Sequence, residues 1–148
     1  MKKGMLNIGF NLLAEGKTLR IKAHGYSMYP CIKPGSIILI EPLRMKGKPV
    51  PGEILAIRRQ SGLVVHRLTK IIMKDGVEYF IARGDSNSLA DNPVRLSDIA
   101  GRIVGAETSA QNTVKADIRI RENPDYILNR IRVIWIILTG KIRKRLKS

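Results

Sequence analysis

The sequence predicts a mainly β chain. The expectation is a compact antiparallel coiled sheet or small barrel, with a short N-terminal helix and an amphipathic C-terminal helix. Three observations predict it. Between residues 18 and 107, six short apolar or alternating runs are separated by Gly, Pro and Asp-Gly turns. Residues 5–15 hold an apolar cluster closed by Gly16. Residues 127–146 repeat large apolar side chains at helical spacing.

Taken in order, Met5, Leu6, Ile8, Phe10, Leu12, Leu13 and Ala14 predict a short helix, weakened by Gly9. Thr18–Ala23 alternates as a strand does. Ser36–Glu41 follows Pro34-Gly35, Glu53–Arg58 follows Pro49, Pro51 and Gly52, and Leu63–Met73 follows Ser61-Gly62. Glu78–Arg83 follows the hairpin dipeptide Asp75-Gly76, and Ile99–Glu107 is the last strand. The organisation read from this is a helix at 1–17, a β domain at 18–108, a polar linker at 109–124 and a basic helix at 125–148.

The C-terminal helix carries Ile127, Leu128, Ile131, Ile134, Trp135, Leu138, Ile142 and Leu146 on one stripe. Arg130, Arg132, Lys141, Arg143, Lys144, Arg145 and Lys147 surround it. Such a helix either lies on an anionic membrane surface or packs its stripe on the β domain with a solvated basic rim. The membrane reading is favoured because Val133, Ile136 and Ile137 lie off the stripe and would otherwise be exposed.

At 148 residues the chain is one domain, large enough to bury a core, and 44% apolar content excludes disorder. The single cysteine, Cys31, excludes an internal disulfide. Two histidines, His24 and His66, are too few for a metal site without other ligands, so no metal or cofactor is expected. The formal charge of +15 attracts polyanions, either nucleic acid or lipid headgroups. Residues 1–17 lack the pattern of a secretory signal, and no run of about 18 apolar residues reads as a transmembrane helix.

Three polar elements fall at or near the ends of apolar segments. Ser27 sits in Gly25-Tyr26-Ser27-Met28-Tyr29-Pro30, after a strand and between residues that constrain the backbone. His66 sits in Val64-Val65-His66-Arg67-Leu68. Asp85 and Asp91 sit in the stretch 84–94 after the strand ending at Arg83. A serine hydroxyl needs a base within reach, best held by a third group, and these residues supply one of each. Residue by residue the ordinary readings remain: a Gly/Pro turn, a structural strand histidine, and aspartates capping their own loop.

Gly25–Pro30, with Ile32 and Pro34-Gly35 after it, resembles the nucleophile box of the signal peptidase I family. Pro51-Gly52-Glu53-Ile54 is similar to the segment opening that family's second strand. Val65-His66-Arg67-Leu68 resembles the His-containing box of the branch found in the endoplasmic reticulum, in archaea and in some sporulating bacteria. Phe80 to Asp91, with Gly84, Asp85 and Asn87, resembles that branch's final box, and Ala100–Gly105 its closing strand. The resemblance implies a signal-peptidase-like β core and a serine endopeptidase with a peptide or protein substrate. Ser27 would be nucleophile, His66 general base and Asp91 the orienting carboxylate, with Asp85 as the fallback. The Ser27 backbone N–H would hold the oxyanion. The family's N-terminal membrane anchor is not matched by residues 1–17. That implies a cytoplasmic protein removing a leader, peripheral on the inner face of the cell membrane through 125–148.

Alternatives stay open. A LexA-type repressor peptidase shares a similar serine box but needs a DNA-binding domain before it, and only 26 residues precede Ser27. A nucleic-acid-binding β barrel would suit the charge, but the few aromatic residues form no stacking cluster, so nucleic acid is disfavoured. A catalytically inactive relative used as a binding module is the third.

Overall fold

The computed structural model describes residues 3–43, 47–107 and 125–145. The expected linker at 109–124 lies outside the described residues. The elements run α1 (Lys3–Ala14), β1 (Leu19–Lys22), β2 (Ile37–Glu41), β3 (Ile54–Arg59), β4 (Gly62–Lys74), β5 (Val77–Arg83), β6 (Ile99–Glu107) and α2 (Tyr126–Arg145). Each expected strand is present, within one or two residues of its predicted ends.

The strands form one antiparallel sheet in the order β1-β2-β6-β3-β4-β5. The ladder is open: among the described residues it starts at β1 and stops at β5 without a closing pair. Of the two architectures expected, the coiled sheet is therefore the one formed. Register shifts between Leu39 and Ile40, Ala56 and Ile57, and Leu68 and Lys70 bend it, as bulges do.

β3 explains why the sheet has two covered faces. Its residues 54 to 57 are all buried, and strand alternation sends them to opposite sides. Ile54 and Ala56 join Ile38, Ile40, Ile103 and Ala106 on one face, under Leu13 of α1 and Met28 and Ile32 of the Ser27 loop. Leu55 and Ile57 join Leu68, Phe80, Ala82, Val94 and Ile99 on the other. The segment that carries Ser27 is thus fixed by its own apolar neighbours to the first face.

After β5 the chain turns and runs back beside it. Phe80 and Val94 exchange backbone hydrogen bonds of 2.8 and 3.0 Å, and the Asp91 N–H donates to the Ala82 carbonyl at 2.8 Å. This return holds residues 84–94 against the sheet as a defined loop.

α2 starts at Asp125, whose Oδ1 accepts the Leu128 N–H at 2.9 Å, as an N-cap does. Its docking differs from the expectation that the stripe packs on the β domain. Val133, expected to be exposed off the stripe, is buried, and Ile136 is half-buried. The stripe residues Ile127, Leu128, Ile131, Ile134, Trp135 and Leu138 are exposed instead. The contact face is narrow because it is set by Asn129 and Val133, one turn apart, both of which are buried. No helix among the described residues is long and apolar enough to cross a membrane.

Leu55 is fully buried at the sheet centre. Leu55→Ala should lower unfolding free energy by about 2 to 5 kcal/mol in urea titration, with the slope of the transition unchanged.

Candidate active site

His66 lies on β4 opposite Leu55 of β3, so strand pairing turns it toward the second face. Its side chain is nearly buried. Nδ1 lies 2.6 Å from Asp91 Oδ2. Against a carboxylate acceptor Nδ1 carries the proton, which leaves the Nε2 lone pair free to accept one. Asp91 can reach His66 because the return strand pins its N–H to Ala82. Arg59 fixes the next residue by donating from Nη2 to the Asn92 carbonyl at 2.9 Å. His66 and Asp91 line an open groove of about 1000 Å³, together with Arg58, Arg59, Val64 and Pro93.

Asp85 does something else. Its carboxylate takes a two-pronged hydrogen bond from Arg67, Nε to Oδ1 at 2.8 Å and Nη2 to Oδ2 at 2.7 Å. Arg67 also donates from Nη1 to the Gly52 carbonyl at 2.9 Å. Both residues are closed to solvent, at 1% and 2% exposure. Burial works to lower the Arg67 guanidinium, but Asp85, by hydrogen bonding and by charge, together with Cys31, holds the group above its ordinary value. Strand alternation puts Arg67 on the opposite side of β4 from His66, so Asp85 is engaged away from the imidazole. The aspartate at the ring nitrogen is Asp91.

Ser27 is placed by the loop that starts at Asp85's neighbours. The Ser86 N–H donates to the Ser27 carbonyl at 2.9 Å, and Ser86 Oγ donates to the Tyr26 carbonyl at 2.6 Å. Gly84 is the other half of this contact. A Cβ there would stand 2.7 Å from the Ser27 carbonyl oxygen and 2.8 Å from the Asn87 side chain, so only glycine admits the approach. The turn before Ser27 uses Gly25 at φ +80, a conformation that suits glycine.

The β4–β5 register ends with Arg67 paired to Arg83, so Gly84 opens the loop just beyond the ladder. Ser27 sits in the loop whose Met28 and Ile32 cover the first face of the sheet, whereas His66 pairs with Leu55 and faces the second. Among the described residues no hydrogen bond joins Ser27 Oγ to His66, and Ser27 is not among the residues lining the groove. Among the described residues the Ser27 and Met28 N–H groups donate to no backbone acceptor.

Four contributors were not singled out from sequence as site residues. Arg67 was read only as part of the histidine box, although a charged residue within a β-rich apolar run is itself a signal for a buried partner. Ser86 latches the loop that carries Ser27. Arg83 donates to the Asn87 and Ser88 carbonyls, both at 2.9 Å. Asn129 of α2 donates from Nδ2 to the Asp85 carbonyl at 3.0 Å. Nothing local in the sequence marks these last three. His24 is exposed. Among the described residues no group of three His, Cys, Asp or Glu could hold a metal ion.

In comparisons with known proteins, no family model matches the chain and no curated protein matches it significantly.

The two aspartates should separate in stability. Asp85→Asn leaves a buried guanidinium short of its counter-charge and should cost about 3 to 5 kcal/mol, read as a lower urea midpoint. Asp91, at the rim of the groove, should tolerate Asn with a change of roughly 1 kcal/mol or less.

Proposed function

We propose that this protein is a serine endopeptidase of signal-peptidase type, cleaving an extended leader or signal peptide through Ser27, His66 and Asp91. The observation that carries the reading is the 2.6 Å contact between His66 Nδ1 and Asp91, formed beside the loop that also latches Ser27. The sequence resemblance named the same three residues.

In this reading His66 Nε2 takes the Ser27 proton as Oγ attacks the carbonyl carbon of the scissile peptide. Asp91 keeps the imidazole in the tautomer that can do so and stabilises the imidazolium. The oxyanion develops toward the Ser27 and Met28 N–H groups. As the C–N bond breaks, His66 returns the proton to the leaving amine. Water, deprotonated by the same nitrogen, then attacks the acyl-enzyme and releases the carboxylate product. Arg67 and Asp85 act only by holding the loop.

β1 is an edge strand leading toward the Ser27 turn. An extended substrate could pair with it and so present a carbonyl at Ser27. The setting proposed is the cytosol, with removal of a leader from a peptide or small protein. Fractionation that places the domain on the outer face of a membrane would contradict that setting.

Incubation with a peptide library, read by mass spectrometry, tests the activity. Ser27→Ala and His66→Ala should each lower cleavage by roughly 10⁴-fold or more, and Asp91→Asn by roughly 10³- to 10⁴-fold, with thermal melting unchanged. Undiminished cleavage by the serine or histidine variant would reject the assignment. A larger activity loss per unit of stability in Asp85→Asn than in Asp91→Asn would exchange the roles of the aspartates.

A further inference from the structure

α2 presents two opposed faces. The docked face is set by Asn129 and Val133, both buried, with Tyr126 beside them. Asn129 holds the Asp85 carbonyl, and the Arg83 guanidinium stacks 3.6 Å above the Tyr126 ring. At about 100° of rotation per residue, Ile127, Ile131, Ile134, Trp135 and Leu138 centre about 180° from that face. They point directly away from the β domain, with Ile131 58%, Trp135 67% and Leu138 54% exposed. A contiguous apolar face of this kind on a soluble surface marks an interaction site.

The charge decides what it fits. Exposed Arg130 and Arg132 fall on opposite flanks of the stripe. The sequence from 126 to 148 adds Lys141, Arg143, Lys144, Arg145 and Lys147 and contains no Asp or Glu. A second copy docking stripe to stripe would set these cations against each other with no acid on the helix to pair them. A surface of anionic lipid supplies both what the stripe lacks and what its flanks attract: an acyl boundary for the isoleucines and tryptophan, and headgroup charge for the arginines.

We infer that the outward face of α2 docks on an anionic lipid bilayer. The helix lies in the plane of the interface, and the β domain sits on it through Tyr126, Asn129 and Val133. Because Asn129 and Tyr126 grip the loop after β5, the bound surface holds the Ser27 loop and the His66–Asp91 pair in a fixed orientation to the bilayer. The docking surface shares no residue with the catalytic assignment and stands whether or not Ser27 is a nucleophile.

Trp135 is the only tryptophan and reports its own burial. The full-length protein should shift its emission to the blue and cosediment with vesicles of phosphatidylcholine and phosphatidylglycerol. Partitioning into phosphatidylcholine alone should be at least about tenfold weaker, and added salt should weaken the anionic binding. The triple variant Ile131→Ser, Ile134→Ser, Leu138→Ser keeps the docked face and the tryptophan and should lose more than about tenfold in partitioning, with the melting of the β domain retained. Should that variant lose helix content, the double variant Arg130→Glu, Arg132→Glu carries the test. It keeps the stripe and should weaken binding to anionic vesicles while leaving binding to neutral ones unchanged. No emission shift with anionic vesicles, equal binding to both lipids, or undiminished binding by the variants would overturn the inference. So would a dimer abolished by the triple variant in a protein that ignores vesicles.

Discussion

A buried ion pair between Arg67 and Asp85 is the constraint on which the rest of the site depends. Taking two charges out of water is costly, and the cost is offset only when geometry and hydrogen bonding are complete. Here Arg67 meets Asp85 with two parallel bonds and spends a third nitrogen on the Gly52 carbonyl. The pair ties β4 to the loop after β5. Once residue 85 is fixed, its neighbours are fixed with it: Gly84 and Ser86 receive the Ser27 turn, and six residues further on Asp91 reaches His66. Removing the pair would free the Ser27 loop and Asp91 together.

Adjacent residues of one strand serve the two sides of this arrangement. Alternation in β4 sends His66 to one face and Arg67 to the other. The imidazole lines the open groove. The guanidinium goes where solvent cannot reach it and does structural work. α2 adds a third tie from outside, since its Asn129 binds the same Asp85 backbone and its Tyr126 covers Arg83. The C-terminal helix is thereby joined to the site loop.

The β core was legible because its signals are local. Ile37–Glu41 and Val77–Arg83 are short β-rich runs preceded by Pro-Gly and Asp-Gly turns, and alternation plus turn chemistry fixes such strands without tertiary help. Strand order was not legible. Nothing in residues 99–107 says that this strand inserts between β2 and β3, because pairing depends on the whole sheet. His66 and Asp91 could be named together from resemblance, and the choice between Asp85 and Asp91 needed coordinates, since both lie in one short loop. What separates them is Arg67, whose burial follows from strand parity. The docked face of α2 was not legible for a related reason. The apolar stripe was read as lying on a membrane or packing on the β domain, and Val133 as lying off it; the helix seats Val133 and the polar Asn129, whose hydrogen bond is invisible in a hydropathy pattern.

The central claim is that Ser27 is an activated nucleophile served by His66. It is tested most directly by covalent labelling of the folded protein with a fluorophosphonate, followed by intact mass and peptide mapping. The account predicts one adduct, on Ser27 Oγ, absent in Ser27→Ala and formed at least about a hundredfold more slowly in His66→Ala. An adduct that persists in Ser27→Ala, or a His66→Ala protein labelled as fast as the parent, would contradict it.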